Sequence, residues 1–353
     1  MSVADISVDE PKTVAEVMKS TDLDKWNASM KEEKSSLDKN HTWDLVDRPL
    51  KQRIIECKWI YKIKEGIPGV EDPRYKSRLV AKGYTQVEGM DYNEIFAPVV
   101  KHVSIRIMLS YVVNFDTELE QMDVKTVFLH KELDETIYME QPEGFIKKRE
   151  EGKVCLLGKS LYGLKQLPRQ WNQRFDTFIK TLGFKRCVKD PCVYMKQLSS
   201  GEGIYLLLYV DDMSIAANSK EEIQNLKESL KSEFEMKDLG AASRILGMDI
   251  IRDRKKGTLK LTQSKYIGQI LKTFGMKYSK PVVTPSNAQF KLKSLQDKEW
   301  LIESKNMNKV PYASAVGSLM YAMVGSRPDL AFDVGLVSRF MSKPSREHWE
   351  AVK

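Results

Sequence analysis

The apolar run IYLLLYV, Ile204 to Val210, is rich in β-formers and reads as a buried strand. Asp211 and Asp212 follow at once, and then a second apolar stretch, Met213 to Ala217. Strand, acidic turn, strand: the pattern predicts a hairpin that holds two negative charges at its tip. Upstream, Leu23, Trp26, Met30 and Leu37 share a face at roughly helical spacing and predict a helix from Asp22 to Lys39. Strand-like pieces follow at Thr42 to Val46, Cys57 to Ile63 and Tyr75 to Val80. Gly66-Ile67-Pro68-Gly69 and Asp72-Pro73 supply the turn signals between them. CKWIYKIK alternates aromatic or aliphatic residues with Lys, which predicts one core face and one strongly positive face. Ser104 is expected to cap a helix through Phe115, with Ile105, Met108, Leu109, Val112 and Val113 on its apolar side.

LEQMDVKTVFLH predicts a strand ending near Asp123, LDETIYMEQPEGF a looped segment, and Val154 to Leu157 another strand. Trp171, Phe175, Phe178, Ile179 and Leu182 recur at three and four within a helix from Gln170 to Gly183, which the glycine stops. The hairpin Val193 to Ala217 turns first at SSGEG. Ser219-Lys220-Glu221-Glu222 then reads as a capping box that opens a helix with Ile223, Leu226, Leu230 and Phe234 inward. With a short strand from Ile245 to Ile251, the order becomes strand, helix, hairpin, helix, strand. That alternation predicts an α+β fold with a split βαβ, ferredoxin-like sheet. In such a sheet Asp123 and the hairpin tip can lie on neighbouring strands. The expected division is a flexible lead-in over 1–21, a main α+β region over 22–251, a basic segment over 252–280, a linker over 281–310 and a helical segment over 311–353.

At 353 residues, with 42% hydrophobic and 30% charged positions, the chain is long enough for several subdomains with real cores. No apolar run approaches a membrane span, and MSVADISVDEPKTV lacks the basic and apolar regions of a signal peptide, so no membrane partner is expected. Cys57, Cys155, Cys187 and Cys192 form no Cys-x-x-Cys pair, and with only four His a zinc site is not expected. The thiols read as reduced and the chain as intracellular. Charge is more informative. Ile251 to Lys280 holds nine basic residues against Asp253 alone, which equals the whole net charge of +8. With a second basic region from Lys51 to Lys82, the pattern points to a polyanion, nucleic acid before membrane. Solvated faces of Lys-rich helices explain either stretch alone equally well.

Adjacent carboxylates repel, so a fold that builds Asp211-Asp212 commonly neutralises the pair with a cation, although an isolated Asp-Asp is more often a solvated turn. With Asp123 on a neighbouring strand, the three make an oxygen-rich site suited to Mg²⁺. Two such ions would activate an attacking hydroxyl and stabilise a leaving pyrophosphate, and phosphoryl transfer asks for little beyond that, positive charge and positioning.

LEQMDVKTVFL, KSLYGLKQLPRQW, LLLYVDDM, FEMKDLG and ILGMDI, in this order and spacing, resemble the reverse transcriptase of copia-type LTR retrotransposons, particularly plant members. YKSRLVAKGYTQVEGMDYNEIFAPVV and the late VPYASAVGSLMYAMV, SRPDLAFDVGLVSRFM and EHWEAVK resemble the same family, so the likeness runs from about Trp26 to the last residue. The resemblance implies a right-hand polymerase with fingers, ferredoxin-like palm and thumb, plus a C-terminal helical connection segment. The implied activity is RNA-directed DNA synthesis from dNTPs on a primed RNA or DNA template, with two Mg²⁺ ions or Mn²⁺ as a substitute.

By the same resemblance, Asp123, Asp211 and Asp212 match the metal-binding catalytic triad. Phe128 falls where an aromatic gate would crowd a 2′-hydroxyl. Arg78 matches the arginine that pairs with the triphosphate, assisted by one of Lys62, Lys64 or Lys76. Gln166 matches the glutamine that contacts the incoming nucleotide. Tyr209 and Val210 would touch the primer end, and Gly247 and Met248 would belong to a primer grip. Arg252, Arg254, Lys255, Lys256, Lys260 and Lys265 would hold duplex phosphates without reading sequence. Leu167, where the family usually has a small residue, and His130-Lys131, where Asn-Gly is common, depart from the pattern. The chain stops at Lys353 where the family continues into RNase H, and the Gag, protease and integrase portions of the polyprotein are expected as missing partners. Cytoplasmic, particle-associated localisation with nuclear passage is the family expectation. Two other readings fit parts of the pattern: a non-catalytic nucleic-acid-binding remnant of a truncated element, and an unrelated Mg²⁺-dependent nuclease that would not explain the spacing of Phe128 and Gln166.

Overall fold

The computed structural model describes residues 10–64, 74–124, 132–198, 201–282 and 292–353. The short helix α1 (Val14–Val17), capped by Thr13, precedes α2 (Leu23–Lys39), which buries Trp26, Met30 and Leu37 as its stripe predicts. Four strands follow: β1 (Trp43–Asp47), β2 (Ile54–Ile55), β3 (Cys57–Lys64) and β4 (Arg74–Ala81). Helix α3 (His102–Asn114) starts after Lys101, ahead of the cap expected at Ser104. Next come β5 (Glu118–Val124), β6 (Glu132–Met139), β7 (Lys153–Lys159) and α4 (Leu167–Thr181), the last with Pro168 in its first turn. β8 (Lys185–Arg186), β9 (Val193–Gln197), β10 (Gly203–Tyr209) and β11 (Asp212–Ala217) lead to α5 (Lys220–Glu233). β12 (Met236–Ala241), β13 (Arg244–Ile245), β14 (Met248–Asp253) and β15 (Thr258–Thr262) precede α6 (Ser264–Thr273). Four helices end the chain: α7 (Asp297–Met307), α8 (Tyr312–Gly325), α9 (Ala331–Ser338) and α10 (Arg346–Val352).

The chain forms two compact units, Met1–Val100 with Gln121–Leu239, and Lys101–Glu120 with Gly240–Lys353. In the first unit one core lies under α2 and β4, where the Trp26 ring meets Tyr61 and Tyr75 edge-on at 5.3 and 4.7 Å. A four-stranded sheet in the order β1-β7-β6-β2 contributes Ile55, Ile137, Met139, Cys155 and Leu157 to that core. The second core belongs to a six-stranded sheet in the order β12-β5-β11-β10-β9-β8. Trp171, Phe175 and Ile179 of α4 and Ile223, Leu226 and Leu230 of α5 pack into it together. Along the chain β5, α4, β10, β11, α5, β12 appear in that order, while in space β5 lies between β12 and β11, which is the split βαβ arrangement. Asp123 and Asp211-Asp212 thereby come from neighbouring strands.

Several expectations change. The segment read as a loop from Leu133 to Phe145 begins as strand β6, because Leu133, Ile137 and Met139 recur at period two between polar residues. The strand expected over Ile245 to Ile251 is a hairpin: Ile245 pairs with Met248, and Leu246 and Gly247 make the turn with φ of 48° and 71°. Two successive left-handed residues define the turn type that fits strand twist. The linker expected over 281–310 contains α7, closed at its start by reciprocal bonds between Gln296 and Glu299. Ser219 does cap α5, accepting from Glu222 N at 3.3 Å.

The second unit holds the three-stranded sheet β13-β14-β15 and a helical core of Met307, Tyr312, Val316 and Val337. The basic segment is therefore a strand hairpin continued by α6. No helix among the described residues is long and apolar enough to cross a membrane.

Candidate active site

β10 and β11 pair antiparallel with Tyr209 opposite Asp212, so Val210 and Asp211 form a two-residue turn. Val210 has φ 54°. A β-branched side chain is strained there, at a cost of roughly 1–3 kcal/mol, and such strain persists only where the surroundings enforce it. The enforcing group is Trp171 on α4, whose Nε1–H donates to the Val210 carbonyl at 2.6 Å. The indole is itself fixed by Phe234, edge-on at 5.2 Å, and by Phe175. On the other side of β11, Val124 N donates to the Asp211 carbonyl at 3.1 Å. That bond holds the Asp123 end of β5 to the turn.

Asp212 remains exposed to solvent. Its carboxyl is nevertheless pushed up to about 6, first by the desolvation of packed neighbouring atoms, then by the charges of Asp211 and Asp123. The charges of Asp211 and Asp123 thus reach Asp212 from the same turn and from the neighbouring strand, and the three repel. Among the described residues no group of three or more His, Cys, Asp or Glu is drawn together closely enough to hold a metal ion. The donor set still fits one chemically: all its side-chain donors are hard oxygens, and a divalent cation would relieve the repulsion that raises Asp212.

Arg78 lies on the face of β4 opposite the one packed on α2, in line with Arg74 and Lys76. In the β3–β4 ribbon Lys62 is directly across from Lys76, so this face is basic, as the alternation in CKWIYKIK predicts. Lys62 forms an ion pair with Glu10 at 2.6 Å. Phe128 and the side chain of Lys64 lie outside the described residues. The Arg78 guanidinium sits 5.1 Å from the ring centroid of Tyr162. The Tyr162 phenol is raised chiefly by burial; Arg78 draws it down, and Glu33, Asp211 and Asp123 push it further up. Sequence reasoning missed Tyr162 and Trp171, although both stand in the quoted motif KSLYGLKQLPRQW. Their aromatic character was the available signal.

Gln166, expected to contact a nucleotide, is held inside the protein. It is only 1% exposed, its Oε1 accepts from Gln86 Nε2 at 3.2 Å, and its Nε2 donates to the Asp91 carbonyl at 3.2 Å. Both ends of the amide are committed inside the protein, so in this conformation it crosslinks chain segments and does not present itself to a nucleotide. Tyr209 is half-buried, while Val210 retains 37% exposure at the tip.

Within the second unit, Gly247 is exposed in its turn but Met248 is 2% exposed and packs inward. Tyr321 donates its hydroxyl to the Leu246 carbonyl, closing the same turn. The six basic residues divide. Arg252 donates to Asp116 Oδ1 at 2.7 Å, to the Thr117 carbonyl at 2.7 Å and to the Val112 carbonyl at 3.1 Å. Arg254 pairs with Glu118 at 2.9 Å. These two arginines tie β14 to the α3–β5 connection. Lys255, Lys256, Lys260 and Lys265 are exposed, with long pairs from Lys256 to Asp253 at 3.6 Å and Lys265 to Asp249 at 3.5 Å. All four cysteines are free, and burial pushes Cys57, Cys155 and Cys192 up to about 12, which leaves them unreactive.

The sequence profile described as "Reverse transcriptase (RNA-dependent DNA polymerase)" matches residues 40–288. The chain belongs to the reverse transcriptase family. Its relatives are Pol polyproteins of copia-type retrotransposons. It is 51% identical to the retrovirus-related Pol polyprotein from transposon TNT 1-94 of Nicotiana tabacum, across 98% of this chain and 26% of that one. It is 38% identical to the corresponding polyprotein from transposon RE1 of Arabidopsis thaliana, across 98% of this chain and 23% of that one. A transposon Ty5-1 protein of Saccharomyces cerevisiae is 34% identical over 66% of this chain and 73% of its own length. The chain thus spans about a quarter of the two plant polyproteins it matches. A truncated apo telomerase from Candida tropicalis superimposes with a TM-score of 0.33 and 9% identity, over 67% of this chain and 60% of that one, a likeness too slight to carry an argument.

Proposed function

We propose that this chain is an RNA-directed DNA polymerase that adds dNTPs to a primer 3′ end on an RNA or DNA template. The observation that carries the reading is the adjacency of β5, which bears Asp123, to the β10–β11 hairpin, which bears Asp211 and Asp212, joined by the Val124–Asp211 backbone bond of 3.1 Å. In this reading the six-stranded sheet is the palm, the α2 and β3–β4 region the fingers, and the basic hairpin with α6 part of the thumb. Asp123, Asp211 and Asp212 would hold two Mg²⁺ ions, or Mn²⁺ in their place. When bound, the ions supply Lewis-acid activation of the primer hydroxyl and neutralise charge on the departing pyrophosphate.

The chain's own residues do the rest. Arg78 provides a forked, permanently charged donor for the triphosphate. The Val210 turn, fixed by Trp171, holds the carboxylates in place without further reorganisation, as electrostatic catalysis requires. Exposed Lys255, Lys256, Lys260 and Lys265 offer sequence-independent charge to duplex phosphates. Phe128 is proposed as the gate against a 2′-hydroxyl on the motif resemblance alone. Template, dNTPs and the remaining polyprotein domains are the proposed partners.

The test is primer extension on poly(rA)/oligo(dT) with Mg²⁺ or Mn²⁺, beside the Asp211→Asn variant. We expect extension by the wild-type chain and none by the variant, with the variant unfolding at a temperature no lower than that of the wild type. Extension retained by Asp211→Asn would overturn the metal assignment. Salt-sensitive duplex binding without extension by the wild type would overturn the polymerase reading for this chain.

A further inference from the structure

We propose that Tyr162 is a positioning residue: its ring is a fixed platform that holds the Arg78 guanidinium available to a polyphosphate, apart from the carboxylates of the candidate active site. The inference rests on the polymerase reading for the identity of the polyphosphate, a deoxynucleoside triphosphate. Its structural content stands on the geometry of Tyr162 itself.

The platform is locked by backbone. Ala81 N at the end of β4 donates to the Tyr162 carbonyl at 2.7 Å. The next residue, Gly163, has φ 91°, and a Cβ there would overlap the Ala81 carbonyl oxygen. A Cβ on Gly83 would overlap the Gly163 carbonyl in turn. Two glycines far apart in sequence thus let the Leu161-Tyr162-Gly163 turn and the exit of β4 interlock at a distance no side chain permits. Arg78 is three residues before Ala81 on that strand, so ring and guanidinium are carried by one rigid junction.

The ring is not there to fill the core. Leu161 and Leu164 on either side are buried and belong to the hydrophobic cluster under α2, whereas Tyr162 is half-buried and outside it. What its face meets is Arg78, with the cation 5.1 Å from the centroid. The charges of Glu33, Asp211 and Asp123 are also felt at the Tyr162 phenol, after the larger effect of burial. An arginine without that ring would be free to swing towards a carboxylate such as Glu33, which its charge already draws down, and would be lost as a donor to phosphate. A flat aromatic face attracts the guanidinium without competing for its N–H groups, which leaves those groups able to donate to a ligand.

The experiment compares Tyr162→Phe, which keeps the ring, with Tyr162→Leu, which removes the π face at similar volume, each with and without Arg78→Ala. Affinity for tripolyphosphate and for dTTP is measured by titration calorimetry without primer, and KM for dTTP is measured separately from kcat in primer extension. Tyr162→Phe should bind both ligands within about twofold of wild type. Tyr162→Leu should weaken both by about 5- to 30-fold, the range a desolvated cation–π contact supplies, and raise KM with little change in kcat. In the Arg78→Ala background, Tyr162→Leu should cost nothing further. Equal losses in the presence and absence of Arg78, or an equal loss in Tyr162→Phe, would overturn the proposal, and this comparison decides the matter even if Tyr162→Leu also lowers thermal stability. Tripolyphosphate coupling between the two residues with no primer extension would sink the polymerase reading alone. Extension with no coupling would sink this proposal alone, and a wild-type chain that binds neither ligand would sink both.

Discussion

The indole N–H of Trp171 donates to the carbonyl of Val210 across 2.6 Å, tying a helix to the tip of the hairpin that carries Asp211 and Asp212. Trp171→Phe keeps an aromatic ring in the core but leaves that carbonyl without this donor. The expected stability loss is about 1 kcal/mol, the net worth of a part-buried hydrogen bond whose acceptor water can reach. The expected activity loss is larger, tenfold or more, because the strained φ of Val210 is no longer enforced. Denaturant unfolding beside single-turnover extension separates the two effects. A proportionate fall in both would remove the special role assigned to this bond.

Asp212, raised to about 6 from an ordinary value of 3.8, ties stability to pH. Between those values the folded chain holds a proton that the unfolded chain has lost, so this residue's contribution is complete below about pH 4 and disappears as pH rises through about 6. Asp212→Asn should therefore match wild type near pH 4 and unfold at a higher temperature near pH 8. Millimolar Mg²⁺ should raise the wild-type midpoint near pH 8 and leave that of the variant nearly unmoved. An Asp212→Asn protein no more stable than wild type near pH 8 would contradict the repulsion.

Gly163 is required by its positive φ and by the closeness of Ala81. Gly163→Ala should destabilise by roughly 3 kcal/mol, the combined order of an overpacked contact and a left-handed non-glycine residue. Gly257→Ala, at φ 61° but with open space around it, meets no such contact and should cost clearly less in the same thermal melt.

The basic residues of the second unit should separate by their partners. Lys255→Ala and Lys260→Ala should each reduce the slope of log affinity against log salt by about 0.9 on duplex DNA, with the melting temperature unchanged. Arg252→Ala should instead unfold more easily, since Asp116 and the Thr117 carbonyl would keep only their longer contacts to Arg254 and the Val112 carbonyl would lose one of its donors. Identical salt slopes for all three variants would refute the division.

The sequence alone determined the local patterns. The apolar run to Val210, the stripe of α4 and the alternation in CKWIYKIK each encode their element within a few residues, because strand and helix periods are short-range properties. The hairpin tip and its carboxylates were therefore legible, as was the neighbouring position of Asp123 once the order of elements suggested a split βαβ sheet. β6 was missed because its period-two pattern is diluted by acidic residues, and the Leu246-Gly247 turn because two left-handed residues leave little trace beyond one glycine.

Tertiary structure decided what each side chain does. Gln166 and Arg252 look like ligand-facing polar groups in the sequence, yet Asp91 and Gln86, or Asp116 and Val112, have already claimed them. Arg78 finds Tyr162, and Val210 finds Trp171, across long stretches of chain. Hydrogen bonds and cation–π contacts have reaches of a few ångströms, and which groups come within that reach is fixed only when the strands are ordered and the helices are packed against them.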